Sequence, residues 1–470
     1  MIVLSKRLGI LRRLTPLLRL KNTSRLLLAV PLIGKIPKQS QKNVLQNQGY
    51  SSVSALQSKI YKGLHLYFRI IQLLWIWIRF LFRLYILRKQ LSDALVQTLE
   101  ESGSIFVKLG QWASTRRDLS PPQLIQALSK LQSNVETSHG WSYTQSLILK
   151  RLGPNVFEYI NPVPIGKGCC AHVYEGIIRS SSSSKERVAI KVLHPNIKDK
   201  FKEDLYFLKR MGLFLEWMIP DLYWLSSGQF IQEFSESMIH QIDLCQEARH
   251  LERFIKNFHG DKNVIFPQPI QGMTFTDVLV EQFIEGSEIS NFINDDINIT
   301  LKKNLAKKGI DIFFRMLFEH NFVHGDLHPG NILVSKDEKL VVLDPGIATA
   351  LSEGDLQNFR SVFKSVIRGD GRTVGKLFLE RSLHQCTNPE KFINEIGIIV
   401  DDAIQNGELS LRRVDVSKLL NSVFDVFRTH RVKLDSNFSM VIISIIVIEG
   451  LGKSLNPELN LLKSAWPYFY

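Results

Sequence analysis

The chain has 470 residues, 44% of them hydrophobic, with ordinary glycine and proline usage, which is enough for a two-lobed domain plus an extension. Its formal net charge is +14, but 17 Lys and Arg and no acidic residue precede Asp93, which leaves residues 93–470 at a net −3. The body therefore lacks the basic surplus of a nucleic-acid binder, and no nucleic-acid partner is expected. The four cysteines, Cys169, Cys170, Cys245 and Cys386, have neither C-x-x-C nor metal-ligand spacing, and adjacent Cys169 and Cys170 cannot form an ordinary bridge. That excludes a disulfide framework or a cysteine zinc site and fits a reducing compartment.

Residues 1–45 are rich in Arg and Leu, free of acid and hydroxyl-containing, the composition of a mitochondrial transit peptide. Arginines interrupt LGILRRLTPLLRL, so a secretory signal is excluded. Residues 46–61 are expected to be a linker. Residues 62–90, KGLHLYFRIIQLLWIWIRFLFRLYILRKQ, have an uncharged run only from Ile70 to Ile78, too short to span a bilayer. On a helix, Lys62, His65, Arg69, Gln72, Arg79 and Arg83 share about one third of the circumference. The expectation is a helix in a membrane interface, with arginines toward headgroups and Trp75 and Trp77 toward lipid. A tilted span and a helix packed on the body are the alternatives.

Within residues 161–285, NPVPIGKGCCAHVYEG is followed by a Ser-rich turn (Ser180 to Ser184) and by RVAIKVLHP. Gly166, Gly168 and Val173 fit the G-x-G-x-x-G-x-V pattern of a phosphate-covering hairpin, with Ala171 in the third glycine slot. Lys191 of VAIK lies one strand later, where a phosphate-contacting lysine belongs. Residues 229–258 read as one long helix, with Glu247 as the lysine's carboxylate partner and Asp243 one turn earlier on the same face. Val278 to Phe283 reads as a strand leading into a hinge.

The densest chemistry is HGDLHPGNILVSKDEKLVVLDPG, residues 324–346. His324, Asp326 and Asn331 have the H-x-D-x-x-x-x-N spacing of a kinase catalytic loop. Asp344 and Gly346 follow at the distance of the D-F-G motif, with Pro345 in place of Phe. One aspartate near the acceptor (Asp326), an asparagine on metal (Asn331) and an aspartate bridging metal to phosphate (Asp344) are what phosphoryl transfer asks of a protein. ATP and Mg²⁺ are the expected cofactors. The fold expected is α+β and two-lobed, protein-kinase-like, with a helical extension over 91–160, an N-lobe over 161–285 and a helix-rich C-lobe over 286–470. The apolar run SMVIISIIVIEGLGKSLNP is expected to be a buried helix.

Upstream of the lobes, FVKLGQWASTRRDLSPP carries K-x-G-Q at Lys108, Gly110 and Gln111 and R-x-D-L-x-P from Arg116 to Pro121. With IDLCQEA, HGDLHPGNILV and IEGLGKSLNPELNLL, these segments resemble the UbiB (AarF-domain) atypical kinase-like family. The resemblance covers residues 95–350 densely and the C-terminal helices more loosely. It implies ATP and Mg²⁺ binding, with Lys191 on the α/β-phosphates, and a role in coenzyme Q or lipid metabolism. It further implies an inner mitochondrial membrane location, membrane lipids and coenzyme Q biosynthesis proteins as partners, and self-association as a homodimer. It also implies a lid, with Lys108 and Gln111 projecting into the site and Lys108 facing Asp243, an arrangement that would obstruct peptide substrates. Three departures stand out: GKGCCA replaces an alanine-rich loop, Gln241 replaces an acid, and Pro345 restricts the metal-binding loop. An atypical kinase or ATPase, a nucleotide-regulated scaffold and an ordinary Ser/Thr protein kinase remain as readings, the last disfavoured by the lid.

Overall fold

The computed structural model describes residues 46–87, 90–118, 122–128, 131, 139–179, 186–218, 227–293, 298–380, 382–384, 386–405 and 415–468. The transit-peptide segment 1–45 and the Ser180 to Ser184 turn lie outside these residues. The first helix, α1, runs Gln46–Tyr85, so residues 46–61, read above as a linker, are helical. It is followed by α2 (Leu91–Ser102), α3 (Ser104–Thr115), α4 (Pro122–Leu128) and α5 (Trp141–Leu152).

From Tyr67 onward α1 reverses the orientation expected from its pattern. Arg69 reaches inward to both carboxylate oxygens of Asp204 (2.8 and 3.0 Å) and to the Ser102 carbonyl (2.6 Å). Arg83 pairs with Glu101 at 2.5 Å and donates to Thr98 Oγ1. Between them Leu73 and Ile76 are buried, and Trp77 is half-buried beside them. The arginine face thus packs on the body, because two buried-side carboxylates neutralise it. The opposite face presents Tyr67, Phe68, Ile71, Trp75, Ile78 and Phe82 to the exterior, Phe68 being 66% and Trp75 62% exposed. A contiguous aromatic and aliphatic face of this kind marks a contact surface.

The N-lobe sheet begins earlier than residue 161, with β1 (Phe157–Ile160), then β2 (Gly166–Lys167), β3 (Ala171–Ile178) and β4 (Glu186–Leu193). Helices α6 (Ile197–Met218), α7 (Ser227–Gln241) and α8 (Leu244–Asn257) intervene before β5 (Val264–Ile265), β6 (Pro269–Thr274) and β7 (Val278–Gln282). The antiparallel order is β1-β3-β4-β7-β6, with β2 paired to β3. Residues 229–258 are thus two helices, not one. Asp243 breaks them by leaving helical geometry and capping α8, its carboxylate accepting the Cys245 N–H at 3.1 Å.

The C-lobe contains β8 (Gly286–Glu288), α9 (Ile289–Ile293), α10 (Ile299–Phe314) with a wider turn over Arg315–Glu319, β9 (Val323–His324), β10 (Ile332–Ser335), β11 (Leu340–Val342) and β12 (Ala348–Thr349). Then come α11 (Glu353–Arg368), α12 (Gly371–Glu380), β13 (Ser382–His384), α13 (Pro389–Gln405), α14 (Val416–His430), β14 (Val432–Leu434), α15 (Ser436–Leu455) and α16 (Leu461–Ala465). Ser352, Asp415 and Asp435 cap α11, α14 and α15 through their side-chain oxygens. Helices α12 and α13 cross so closely that a Cβ on Gly371 would meet the Gly397 carbonyl at 2.5 Å.

Helix α15 is long and apolar enough to cross a membrane, yet two thirds of that stretch is buried within the protein. It is the core helix the sequence suggested, and its one carboxylate, buried Glu449, accepts from Val416 N (3.0 Å) and Ser417 Oγ (2.6 Å) and pairs with Lys453 (2.9 Å).

The extension is tied to both lobes by Arg116, which is 2% exposed. Its guanidinium grips fully buried Asp118 with two bonds (2.9 and 2.8 Å), pairs with Glu233 of α7 at 2.5 Å and donates to the Leu434 carbonyl of β14 at 3.3 Å. Lys433 adds a second cation on Glu233 at 3.1 Å. Burial works against the charged guanidinium, but the two carboxylates outweigh it and raise its pKa above the ordinary arginine value. Trp112 stacks edge-on against Phe230 of the same helix, α7. Arg116→Ala would strand Asp118 as a buried charge and should cost about 3–5 kcal/mol of stability, read as a lower urea midpoint at unchanged slope; a loss below about 1 kcal/mol, the surface-pair scale, would refute this account of the knot.

Candidate active site

The site is assembled around Lys191. It lies on β4, its register partners being Val173 on β3 and Leu279 on β7. Its ammonium donates to both oxygens of Glu247 on α8 (2.7 and 2.9 Å) and to Asp344 Oδ1 (2.7 Å). Sheet, helix and C-lobe loop thus meet at one cation. Burial opposes the charge on Lys191, and the two carboxylates restore it and raise its pKa. Burial alone would raise Asp344 as well, but Lys191 and then Lys108 hold it down at about 2. Glu247 is the member that protonates first: burial pushes it up to about 7 despite Lys191.

Asp344 is held in the left-handed region, at φ 53°, a costly conformation for a residue with a Cβ. Flanking carbonyls explain how it persists. His324 Nε2 donates to Leu343 O at 3.0 Å, while His324 Nδ1 accepts the Asp326 N–H at 3.1 Å. His250 Nδ1 donates to Pro345 O at 2.7 Å. His324 is fully buried, and burial lowers its pKa, so the neutral ring couples the loop of residues 324–331 to the backbone beside Asp344. Asn331 donates to the Asp326 carbonyl at 2.9 Å, bracing the loop, and the Asp326 carboxylate is left 43% exposed, 4.0 Å from His328 Nε2.

The nucleotide hairpin closes as its glycines require. Gly166 pairs with Val173, and the Gly168 N–H donates to Ala171 O at 2.9 Å. A Cβ at Gly168 would crowd that same carbonyl at 3.3 Å. Cys169 and Cys170 occupy the turn as free thiols 3.6 Å apart.

The extension residues separate. Lys108, on α3, is half-buried in the field of Cys169, Cys170, Asp326 and Asp344, which together outweigh burial and raise its pKa. Gln111 does not point into this cluster: its amide donates to the Leu131 carbonyl at 2.8 Å. Gly110 lets α3 approach its neighbours, since a Cβ there would lie 2.3 Å from Leu131 Cδ1 and 3.0 Å from Leu99 Cδ1. Asp243, expected to face Lys108, caps α8 instead, and among the described residues the two form no ion pair. In the GKGCCA loop beside Lys108, the Cys169 thiol is the one lowered toward ionisation.

Two participants were missed by sequence reasoning. Cys169 sits at about 7, lowered by the hydrogen bond from Cys170 and, against burial, by Lys108; Cys170 is pushed up correspondingly. Glu281 of β7 pairs with Ala189, which puts it on the Lys191 face of the sheet. Burial beside Glu247 raises it to about 8, and its carboxyl has no hydrogen-bond partner among the described residues. The available signal was a lone acid in the otherwise apolar strand VLVEQ.

The Lys108–Cys169 coupling can be read directly. Ultraviolet thiolate absorbance should titrate with a midpoint near 7, a component missing in Cys169→Ser. Lys108→Ala should move that midpoint toward the ordinary thiol value of about 8.5; an unmoved midpoint would show that Lys108 does not act on the loop.

Comparison with known proteins agrees with this geometry. Residues 130–378, just over half the chain, match the model of the ABC1 atypical kinase-like domain, and residues 404–460 match the UbiB helical domain. Similar proteins include a mitochondrial ABC1 family protein of Schizosaccharomyces pombe (32% identical over 448 residues, covering 80% of this chain and 64% of the relative). A "Probable serine/threonine-protein kinase" of Dictyostelium discoideum is 31% identical over 451 residues, with the same coverage of 80% and 64%. "Probable protein kinase UbiB" of Aliivibrio salmonicida is 29% identical over 389 residues, covering 81% and 70%. The chain thus spans just under two thirds of the length of the first two relatives. A kinase-like mixed fold of helices and antiparallel sheet, with a UbiB helical domain after it, identifies the chain as a member of the ABC1/UbiB atypical kinase-like family.

Proposed function

We propose that the protein is an ATP- and Mg²⁺-dependent atypical kinase or ATPase of the UbiB type, acting at a mitochondrial membrane in coenzyme Q or lipid metabolism. The observation that carries the reading is the Lys191 ammonium joined to both Glu247 and Asp344, with Asp326 open to an acceptor beside them. In this reading the hairpin of Gly166, Gly168, Ala171 and Val173 covers the phosphates, and Lys191 contacts the α/β-phosphates. Asn331 and Asp344 fit a hard cation: both offer side-chain oxygens, and Asp344 is kept ionised at about 2. Mg²⁺ held there would neutralise charge on the β/γ-phosphate oxygens. Asp326 orients and deprotonates the acceptor hydroxyl.

Lys108 inside the same charge cluster favours a small or membrane-held acceptor over a peptide, since the extension occupies space beside Asp326 and Asp344. It equally supports the second reading, a nucleotide-regulated scaffold. Purified protein assayed for Mg²⁺-dependent ATP hydrolysis, with and without dispersed quinone precursors, separates the two. Turnover abolished by Asp344→Asn is the expected result; tight binding without turnover would favour the scaffold, and efficient labelling of generic proteins would revive an ordinary kinase. Lys191→Ala should weaken ATP binding by about 1–3 kcal/mol, the scale of a lost charged hydrogen bond, and unchanged affinity would remove Lys191 from the phosphate site.

The mitochondrial setting is supported by the leader composition and by mitochondrial relatives. Membrane contact is supported by the outward face of α1, where Phe68, Trp75 and Phe82 are exposed while Arg69 and Arg83 are engaged inward. Membrane lipids, coenzyme Q biosynthesis proteins and a second copy of the chain are the partners this reading names. Carbonate extraction of organelle membranes should leave the wild-type protein in the pellet and release Phe68→Ser/Trp75→Ser/Phe82→Ser; a wild-type protein that is fully extracted would end the membrane reading.

A further inference from the structure

Behind the nucleotide hairpin, three imidazoles from separate parts of the chain converge. His139 precedes α5, His172 lies on β3, and His194 follows β4; one ring nitrogen from each lies within 4.8 Å of the others. His139 is half-buried, and His172 and His194 are buried. A nitrogen of each ring meets an oxygen. His194 Nε2 meets the Gly168 carbonyl at 2.9 Å, His139 Nε2 meets Thr144 Oγ1 at 2.7 Å, and His172 Nδ1 meets Tyr174 OH at 3.3 Å. A carbonyl only accepts, so His194 carries its proton on Nε2 and, when neutral, presents a bare lone pair at Nδ1. That lone pair faces His139 Nδ1 at 2.7 Å, an approach that needs a proton or a cation between the two nitrogens.

We propose that His139, His172 and His194 form a divalent transition-metal site, with Zn²⁺ as the natural occupant, that pins the nucleotide hairpin to the segment preceding α5. Three imidazoles with no carboxylate or thiolate among the ligands are a donor set suited to Zn²⁺, with a fourth position left for solvent. The outer oxygens do what such partners do at metal centres: they fix each ring's tautomer and orientation. Burial first, then the neighbouring imidazoles and Lys167, keep His139 and His172 neutral down to about 4, so their lone pairs are available across the physiological range. A cation about 2.0–2.1 Å from each nitrogen would set every pair of ligand nitrogens roughly 3.3 Å apart: the His139 and His194 nitrogens, now at 2.7 Å, would part slightly, and the His172 nitrogen, within 4.8 Å of them, would close by up to about 1.5 Å. Because His194 holds the Gly168 carbonyl and His172 stands on β3, occupancy would set the position of the loop that covers the nucleotide. The inference rests on the imidazole geometry alone and survives if the chain proves to be a scaffold.

The experiment is metal analysis of the purified full chain after dialysis, followed by titration with Zn²⁺ and Co²⁺. One equivalent of Zn²⁺ per chain and the visible bands of four-coordinate Co²⁺ are expected for the wild type. His139→Ala should abolish them, and Thr144→Val, which removes the oxygen partner of His139 and its bond to Tyr174 OH (3.0 Å) but no ligand, should weaken binding by about 10–100-fold. Thermal unfolding of both variants distinguishes lost ligands from lost fold, and the wild-type Co²⁺ spectrum is independent of either. A wild type that takes up no Zn²⁺ or Co²⁺, or folded variants that bind as the wild type does, would overturn the proposal and leave a neutral relay in which His139 donates to His194.

Discussion

Everything in the candidate site depends on one ammonium group shared by two carboxylates. Lys191 is drawn to Glu247 and Asp344 together, and neither pairing alone would bring α8 and the metal-binding loop to the same strand. A buried cation with one partner is poorly compensated, and a second anion makes the cluster self-consistent. Around the cluster Glu247 and Glu281 rise toward neutrality, and Asp344 has a left-handed backbone. Strain and shifted acidity therefore concentrate where phosphate chemistry would occur.

The extension works by a different physics from the one its motif suggests. K-x-G-Q does not deliver two polar side chains into the site. Lys108 enters the charge cluster, Gly110 permits close helix packing, and Gln111 is spent on a backbone carbonyl. The Arg116–Asp118 pair of the R-x-D-L-x-P segment is a buried clamp on Glu233 and β14. Extension and lobes are thus held together by electrostatics in the interior, which makes the extension part of the folded core. Beside Lys108 the Cys169 thiol is lowered toward ionisation, while Cys170 is held protonated.

Helix α1 shows how an amphipathic pattern can be read with the wrong sign. A stripe of arginines on an apolar helix predicts charge outward when water is the only alternative. Asp204 and Glu101 supply an alternative, and the arginines turn inward while phenylalanine and tryptophan face out. The helix thereby presents an exposed apolar face, with Arg69 and Arg83 paired beneath it.

What was legible in the sequence was whatever is local. The spacing of Gly166, Gly168 and Val173 fixes a hairpin within one turn, and VAIK fixes a strand. The order His324, Asp326, Asn331, Asp344 reports a loop–strand–strand–loop unit whose members are few residues apart. The core nature of α15 followed from an apolar run whose uninterrupted stretch is too short for a membrane span. What was not legible depends on partners far away in the chain. Asp243 became a cap because the helix breaks there, Arg69 turned toward a carboxylate 135 residues later, and Arg116 found a carbonyl 318 residues later. His139, His172 and His194 carry no spacing that announces them, since the pleat of β3, the end of β4 and the entry to α5 bring them together. Sequence by itself determined the local units, a glycine hairpin, the VAIK strand and the loop–strand–strand–loop of residues 324–346. Only the tertiary structure decided which charges meet, because Coulomb energy in a buried site depends on distance through space and burial, and neither is written in the order of residues.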